Sequence, residues 1–445
     1  TDPIMSDCFR VIAALEEHAS RINKEQILEA EAVADNTELF TGMRMALDAL
    51  ITFGIKQVPI KKSSDPQTSP TGLHWDAFAL QVQALIDRRA TGHSARDLVE
   101  HLMFCATEQQ WNGWYRRILI KDLRCGVSEK TINKVLKAFP GIPPVPVFEC
   151  QLAHDGANHE KKIAGKKILQ PKLDGVRCLT VVDYENRTVT QFSRNGKELV
   201  NFGHITAAIL DNIDLLGRSY VLDGEVVSKN FQDLMKQVHR KDDVQATDAR
   251  LALFDIVPLS EFQRGESVLG QRRRFNLLNS LRPAFDKIGN VDIVEWKEVD
   301  LDDYVGQMVF KQYMADAVDA GYEGIMIKDV DALYECKRSH SWLKQKPFIE
   351  VSLEIVDVEE GTGKNAGRLG ALVCAGVDDG RSIRVNVGSG LSDHDRDEFW
   401  SGRDSLTGQV VEVRADAITQ NQDGTYSLRF PRFLKFRGFR VGEKI

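Results

Sequence analysis

The stretch Leu169-Gln170-Pro171-Lys172-Leu173-Asp174-Gly175-Val176-Arg177 sets a lysine, an Asp-Gly turn and an arginine within six positions of one another. Ile168 and Leu169 precede it, and Val176, Cys178, Leu179, Val181 and Val182 follow. Short apolar runs of this kind read as buried strand. A lysine between two such runs is drawn towards a low-dielectric pocket. Desolvation and the neighbouring Arg177 would both disfavour its charged form there, leaving a better nucleophile.

The chain has 445 residues, enough for two or three domains. Its 28% charged and 42% hydrophobic residues are ordinary for a soluble globular protein. No apolar run approaches membrane-spanning length and no secretory signal is present, so no membrane partner is expected. The opening Thr1-Asp2-Pro3-Ile4 reads as an appended remnant ahead of a natural start at Met5. The seven cysteines include no C-x-x-C pair, which argues against a cysteine zinc site and for reduced thiols in a cytoplasmic protein. A net charge of −7 argues against a protein that simply coats nucleic acid; a local basic surface is still compatible with binding it.

The first third reads helical. Phe9, Ile12 and Leu15 lie at helical spacing, as do Phe40, Met43, Leu47 and Leu50; Leu98, Leu102 and Cys105 continue the pattern, then Trp111, Tyr115, Ile118 and Leu119. Ser128 stands as an N-cap ahead of Ile132, Val135 and Leu136. Gly141-Ile142-Pro143-Pro144-Val145-Pro146 cannot continue a helix and suits an extended linker. From about Val147 strands are expected at 179–183, 188–192, 220–227, 251–257 and 324–327, with helices at 204–216, 271–281 and 303–320. That mixture suggests α+β. From about Phe348 five strands are expected, at 351–358, 369–375, 383–387, 409–415 and 426–430, as in a small OB-fold β-barrel. The expected domains are thus 1–146, all-helical; 147–348, α+β; and 349–445, barrel.

Polar clusters stand at the ends of several expected strands. Ser193-Arg194-Asn195-Gly196 follows one strand, and Asp223-Gly224-Glu225 interrupts another, setting Glu225 among buried residues. Phe254-Asp255 ends a third, and Glu323-Gly324 opens Ile325-Met326-Ile327-Lys328. Trp342-Leu343-Lys344-Gln345-Lys346 puts two lysines on one side of an extended segment. Each cluster alone has a plain explanation, as a turn, a solvated edge or a solvated face. Together, a nucleophilic lysine, two acidic groups for a divalent metal and several cations describe phosphoryl or nucleotidyl transfer.

In their order these clusters resemble the ATP-dependent DNA ligases, within the covalent nucleotidyltransferases that include RNA ligases and mRNA capping enzymes. Lys172-Leu173-Asp174-Gly175-Val176-Arg177 matches K-x-D-G-x-R and Ser193-Arg194-Asn195-Gly196 matches S-R-x-G. The later clusters match in turn, and Leu428-Arg429-Phe430-Pro431-Arg432-Phe433 is similar to the C-terminal signature. Arg116 to Gly126 is similar to the segment closing the family's helical DNA-binding domain, and the compact layout resembles bacteriophage members.

The resemblance implies a helical DNA-binding domain, an adenylation domain and an OB-fold domain. It implies ATP and Mg2+ as cofactors, with Mn2+ able to substitute, and nicked double-stranded DNA as partner of a monomer that encircles it. Roles in DNA replication, repair and recombination follow from it. By residue, it implies Lys172 as the AMP-carrying nucleophile, Glu225 and Glu323 at the metal, and Lys344 and Lys346 on the α-phosphate. Phe254 would stack on adenine, Gln170 would read its edge, and Lys328 would also contact the nucleotide. Arg177 would hold the ribose or the nick, and Arg194 the nick 5′-phosphate. Arg429, Arg432, Lys435, Arg437 and Arg440 would meet phosphates, a solvated strand face being the plain alternative. Movement is expected about Pro347 to Glu350.

One departure stands out. The family's closing R-x-D-K reads Arg437-Gly438-Phe439-Arg440 here, with Phe439 in place of the aspartate. This bears on orientation of the pyrophosphate, with Arg432 or Lys435 as substitutes, and Arg440→Ala is expected to slow lysine adenylation more than sealing of pre-adenylated DNA. The rivals are an RNA ligase, a GTP-using capping enzyme and a non-catalytic OB-containing DNA-binding protein. The long helical N-terminal region favours a DNA ligase over the first two, and the intact lysines and glutamates argue against the third. Gly361-Thr362-Gly363-Lys364-Asn365 lacks the residues of a P-loop, and Gly388-Ser389-Gly390 lacks those of a nucleophile elbow.

Overall fold

The structure is a computed structural model that describes residues 7–229 and 245–438. The chain divides into two compact units, Thr1–Phe148 and Glu149–Ile445.

The described residues of the first unit form helices and no strand: Cys8–Glu17, Arg21–Val33, Thr37–Leu47, Trp75–Ile86, Gly92–Cys105, a run from Glu108 to Leu119 with a π-helical turn at Trp111–Tyr115, and Glu129–Leu136. Their apolar stripes converge on one core, in which Ile12, Leu15, Phe40, Met43, Leu102, Trp111, Tyr115 and Ile118 are buried. Trp75 stacks on Tyr115 at 6.4 Å, and the Tyr115 hydroxyl donates to the Leu73 carbonyl at 2.6 Å. Ser128 caps the last helix by accepting from the Thr131 N–H, as its position predicts. Leu50, expected at helical spacing, lies beyond the end of its helix at Leu47.

The second unit contains three principal sheets. A five-stranded sheet has the order Leu152–Asp155, Arg338–Gln345, Gly324–Asp329, Lys166–Lys172, Lys297–Asp300. A six-stranded sheet has the order Glu198–Leu199, Thr188–Phe192, Val176–Asp183, Tyr220–Val227, Arg250–Pro258, Val291–Ile293. The helix Tyr304–Asp319 covers the first sheet; Gly203–Asp211 and Arg282–Ile288 cover the second. Val176, Cys178, Val182, Leu222 and Leu253 are buried beneath that second cover. Each large apolar side chain so buried contributes roughly 1.5–3 kcal/mol. The expected helix 204–216 divides into Gly203–Asp211 and a single turn, Ile213–Leu215.

The organising stretch is not a hairpin. Lys172 ends a strand of the five-stranded sheet, and Val176 begins a strand of the six-stranded one. The Asp-Gly pair is the crossover between sheets, and Lys172 before it and Arg177 after it both line the intervening cleft. A Cβ on Gly175 would lie 2.2 Å from the Val226 carbonyl oxygen, which excludes any larger residue there.

The third sheet has seven strands where five were expected, in the order Ala417–Gln420, Tyr426–Arg429, Arg381–Val387, Leu369–Asp378, Ile349–Glu360, Val410–Ala415, Arg432–Gly438. Its ladder does not close into the expected barrel among the described residues; an isolated bridge joins Ser389 to Arg432. The strand Arg432–Gly438 escapes the sequence pattern because Lys435 and Arg437 hold buried positions where apolar residues would advertise a strand. The helix Asp393–Ser401 escapes it too, having no buried residue and hence no apolar stripe. Gly361 to Asn365 is the connection between two strands of this sheet, and the Ser389 carbonyl accepts from the Phe433 N–H. No described helix is long and apolar enough to cross a membrane.

Candidate active site

Strand register assembles one wall of the cleft. Met326 lies opposite Gln170 on one side and Lys344 on the other, and Lys328 lies opposite Ile168 and Trp342. Gly324 pairs with Lys172, which brings Glu323 beside the lysine; the Glu323 N–H donates to the Lys172 carbonyl at 3.3 Å. A Cβ on Gly324 would meet the Gln345 carbonyl oxygen at 2.2 Å, so only glycine permits this approach.

The opposite wall comes from the six-stranded sheet. Arg177 pairs with Glu225 in register. Asp223 faces Asp255 and Gly224 faces Leu253, leaving Phe254 as the extra residue of a β-bulge. A bulge re-aims the side chain it carries. Phe254 thereby joins the cleft, with its ring 5.8 Å from Trp342 and nearly perpendicular to it. The cleft lining includes Gln170, Lys172, Arg177, Arg194, Glu225, Phe254, Lys328, Lys344 and Arg437, so most of the residues singled out in the sequence converge there.

The inner end is aromatic and short of hydrogen bonds. The Lys328 ammonium lies 4.6 Å from the Phe254 ring centre and 4.2 Å from that of Trp342. Burial pushes the Lys328 ammonium down to about 7. Gln170 is 1% exposed, and neither atom of its amide has a hydrogen-bond partner. A buried amide without partners is costly, and a planar heterocycle with donors and acceptors on its edge would satisfy it. The Nε of Arg194 is also buried without a partner, and burial lowers its guanidinium to about 10.

The other end is crowded with charge. Lys172 Nζ donates to Glu323 Oε2 at 2.6 Å. Glu323 Oε1 accepts from Lys435 Nζ at 2.5 Å and from Arg437 Nη2 at 2.6 Å, and Lys435 also pairs with Asp174. Against the upward push of burial, Lys172, Arg437, Lys346 and Lys435 hold the Glu323 carboxyl well below the usual range. Glu225 makes no ion pair among the described residues. Burial lifts it to about 7, with Lys172, Arg177 and Arg437 opposing. Lys344 is pushed down to about 8 by burial, then by Lys346 and Lys172.

Several expectations shift. Arg177 is not the charge that faces Lys172: both arms of its guanidinium grip Asp223 at 2.7 Å, and the lysine is held by a carboxylate instead. Lys346 turns to Glu350 at 2.7 Å and Glu412 at 3.1 Å, outside the cleft lining. Through that pair and Arg414, Glu350 of the expected hinge is tied down. Arg432 pairs with Asp416 and Arg429 is exposed, so of the tail cations Lys435 and Arg437 point inward. Phe439 and Arg440 lie outside the described residues. The sequence reading passed over Trp342, although it precedes Lys344 by two and so shares its strand face. It also passed over Asp223 as the anchor of Arg177; residue type gives no hint of that pairing.

The donor set suits a nucleotide and a divalent cation. The unpartnered Gln170 amide and the Phe254 ring fit a base, and Lys344 and Arg194 fit phosphate. Glu225, which makes no ion pair among the described residues, supplies a carboxylate oxygen of the kind a hard cation takes.

The model of the ATP dependent DNA ligase domain matches residues 150–346, and that of the DNA ligase OB-like domain matches residues 360–437. The DNA ligase of Haloarcula marismortui is 30% identical over 392 residues, 73% of this chain and 68% of that protein. The DNA ligase of Enterobacteria phage T4 is 25% identical over 397 residues, 77% of each chain. A solved structure named Pmar-Lig_PreS3 is 51% identical, covers 98% of this chain and 100% of its own, and has a TM-score of 0.51. The chain spans about half the length of other curated relatives, 56% of DNA ligase 2 of Methanosarcina acetivorans and 52% of the DNA ligase of Methanococcoides burtonii. With both domain matches and the Haloarcula likeness in hand, the chain belongs to the ATP-dependent DNA ligase family.

Proposed function

We propose that the protein seals nicks in duplex DNA, joining a 3′-hydroxyl to a 5′-phosphate with ATP as the source of activation. The observation that carries this reading is the Lys172 amine, held at 2.6 Å by Glu323 beside a cleft whose inner end has an unpartnered amide and an aromatic ring.

The Lys172 nitrogen attacks the α-phosphorus of ATP. A P–N bond forms and pyrophosphate leaves. An oxygen of the DNA 5′-phosphate then attacks the same phosphorus, and the lysine departs. Finally the 3′-hydroxyl attacks the activated 5′-phosphate and AMP leaves. The protein mainly positions reactants and neutralises charge. Glu323 Oε2 orients the Lys172 amine. Gln170 meets the base edge and Phe254 its face. Lys344, in its cationic form, faces the α-phosphate, and Arg194 meets the nick phosphate. Glu225 and Glu323 would hold Mg2+, which supplies charge neutralisation when bound. Glu323 must then release part of its hold on Lys435 and Arg437.

The domains of this proposal are 1–146 for DNA binding, 147–348 for adenylation and 349–445 for an OB-like domain built on the open seven-stranded sheet; the matches at 150–346 and 360–437 support the last two. The protein acts as a monomer, and DNA contact is mainly to backbone, so binding weakens with salt and tolerates sequence. Free thiols at all seven cysteines suit the cytoplasm. Sealing of a nicked duplex with ATP and Mg2+ tests the reading. Joining with ATP is expected; joining only of RNA strands, or only with GTP, would overturn it.

A further inference from the structure

We propose that His154, His159, His340 and Asp379 form a binding site for a transition-metal ion of the zinc class. Four different segments supply them. His154 lies in the strand Leu152–Asp155, His159 follows the turn Gly156–Asn158, and His340 lies in the strand Arg338–Gln345. Asp379 sits at the tip of the hairpin between Leu369–Asp378 and Arg381–Val387, at φ 48°.

Each histidine offers one ring nitrogen, and these three atoms lie within 4.8 Å of one another. The His154 and His340 rings stack at 3.8 Å, and His159 stands edge-on to both. The Asp379 carboxylate faces the cluster, with Oδ1 3.7 Å from His154 Nδ1 and Oδ2 3.8 Å from His159 Nε2. These separations are too long for hydrogen bonds. They are close to the donor spacing around a tetrahedral ion bound at about 2.0–2.1 Å. His154 Nδ1 and His159 Nε2 are both shielded from solvent without a hydrogen-bond partner. Two such orphaned nitrogens turned towards one carboxylate call for a cation between them. Asn158 Nδ2 donates to Asp379 Oδ2 at 3.0 Å and orients it, as outer partners of metal ligands do.

An anion held by imidazolium rings is the competing occupant. Asp379 would repel it. Three imidazoles and one carboxylate suit zinc, cobalt, nickel or copper and not magnesium. The ion would clip the Asp379 hairpin to the strand carrying Lys344, since His154 pairs with Leu343 and Asp155 with Lys344.

The test is titration of the full chain, first stripped with chelator, using Co2+ as a spectroscopic probe. One equivalent is expected to give the visible bands of tetrahedral cobalt, which Zn2+ abolishes and excess Mg2+ leaves intact. His154→Ala and Asp379→Ala should weaken binding roughly 100-fold or more. Zn2+ should raise the melting temperature of the wild type and not of either variant, each shown to be folded by circular dichroism. Absence of stoichiometric tetrahedral cobalt in the wild type, or binding unchanged in both variants, overturns the site.

Discussion

The two ends of the cleft are opposites. At the inner end, Gln170 and Arg194 carry buried polar atoms without partners, and Lys328 rests against aromatic rings. At the other end, Glu323 engages Lys172, Lys435 and Arg437, with Asp174 and Glu412 sharing the last two. The inner end lacks what a base would bring, so binding there answers an existing need. The charged end already satisfies itself, so a phosphate or a metal must exchange with an internal ion pair. On the proposed function, affinity for the base would be built into the ground state, whereas assembly of the phosphate site would involve rearrangement of Lys435 and Arg437.

Substitution of Glu323 breaks this contrast most severely. Glu323→Gln removes the carboxylate that orders three cations, and we expect the rate of lysine adenylation to fall by about 100-fold or more. Single-turnover labelling with α-labelled ATP measures it; a rate within a few-fold of wild type would mean that the cations position themselves.

Lys344 and Lys346 sharpen the contrast at a distance of two residues. Lys346→Ala strips a cation from buried Glu350 and Glu412, and should cost about 3 kcal/mol in urea unfolding, the lower end for a broken buried pair because Arg414 and Arg437 remain. Lys344→Ala should leave stability nearly unchanged or raise it, because it removes a buried cation, while slowing adenylation. Equal stability losses in the two variants would contradict their different surroundings.

With its ammonium lowered to about 8, Lys344 is cationic below that pH and loses its charge above it. Adenylation is therefore expected to decline as pH rises through about 8. Lys344→Arg should carry the plateau to higher pH, because a guanidinium stays protonated there. A decline unchanged in that variant would assign the limb to another group.

The smallest effect has two signs. Gln170→Leu removes an amide that has no partner in the free protein, so melting temperature should rise by a few degrees. Loss of the base contact should raise KM for ATP about tenfold, about 1.4 kcal/mol, with kcat little changed. A fall in both stability and affinity would mean that Gln170 has a structural partner.

The sequence carried the local parts of this site well. Glu225 and Glu323 each adjoin a glycine forced by close backbone approach, Lys172 stands three residues before another, and such groupings are visible as short words in apolar runs. What it carried poorly is long-range pairing. Glu323 meets Lys435 and Arg437 across more than a hundred residues, and no local pattern encodes that contact. The strand Arg432–Gly438 was hidden by the same fact, since its inward cations serve Glu323 in place of an apolar core. Phe254 was legible as a candidate, but the bulge that aims it was not, because a one-residue register shift leaves no mark on a single strand. The grouping of His154, His159 and His340 with Asp379 was invisible because it too joins residues far apart in the chain.

The most direct test is covalent labelling with α-labelled ATP and Mg2+, followed by denaturing electrophoresis. Wild-type protein, first stripped of any bound AMP with pyrophosphate, should acquire one acid-labile label, and Lys172→Ala should acquire none while remaining folded. Label retained by the Lys172→Ala protein, or label taken from GTP and not from ATP, would contradict the assignment of Lys172 as the AMP-carrying nucleophile of a DNA ligase.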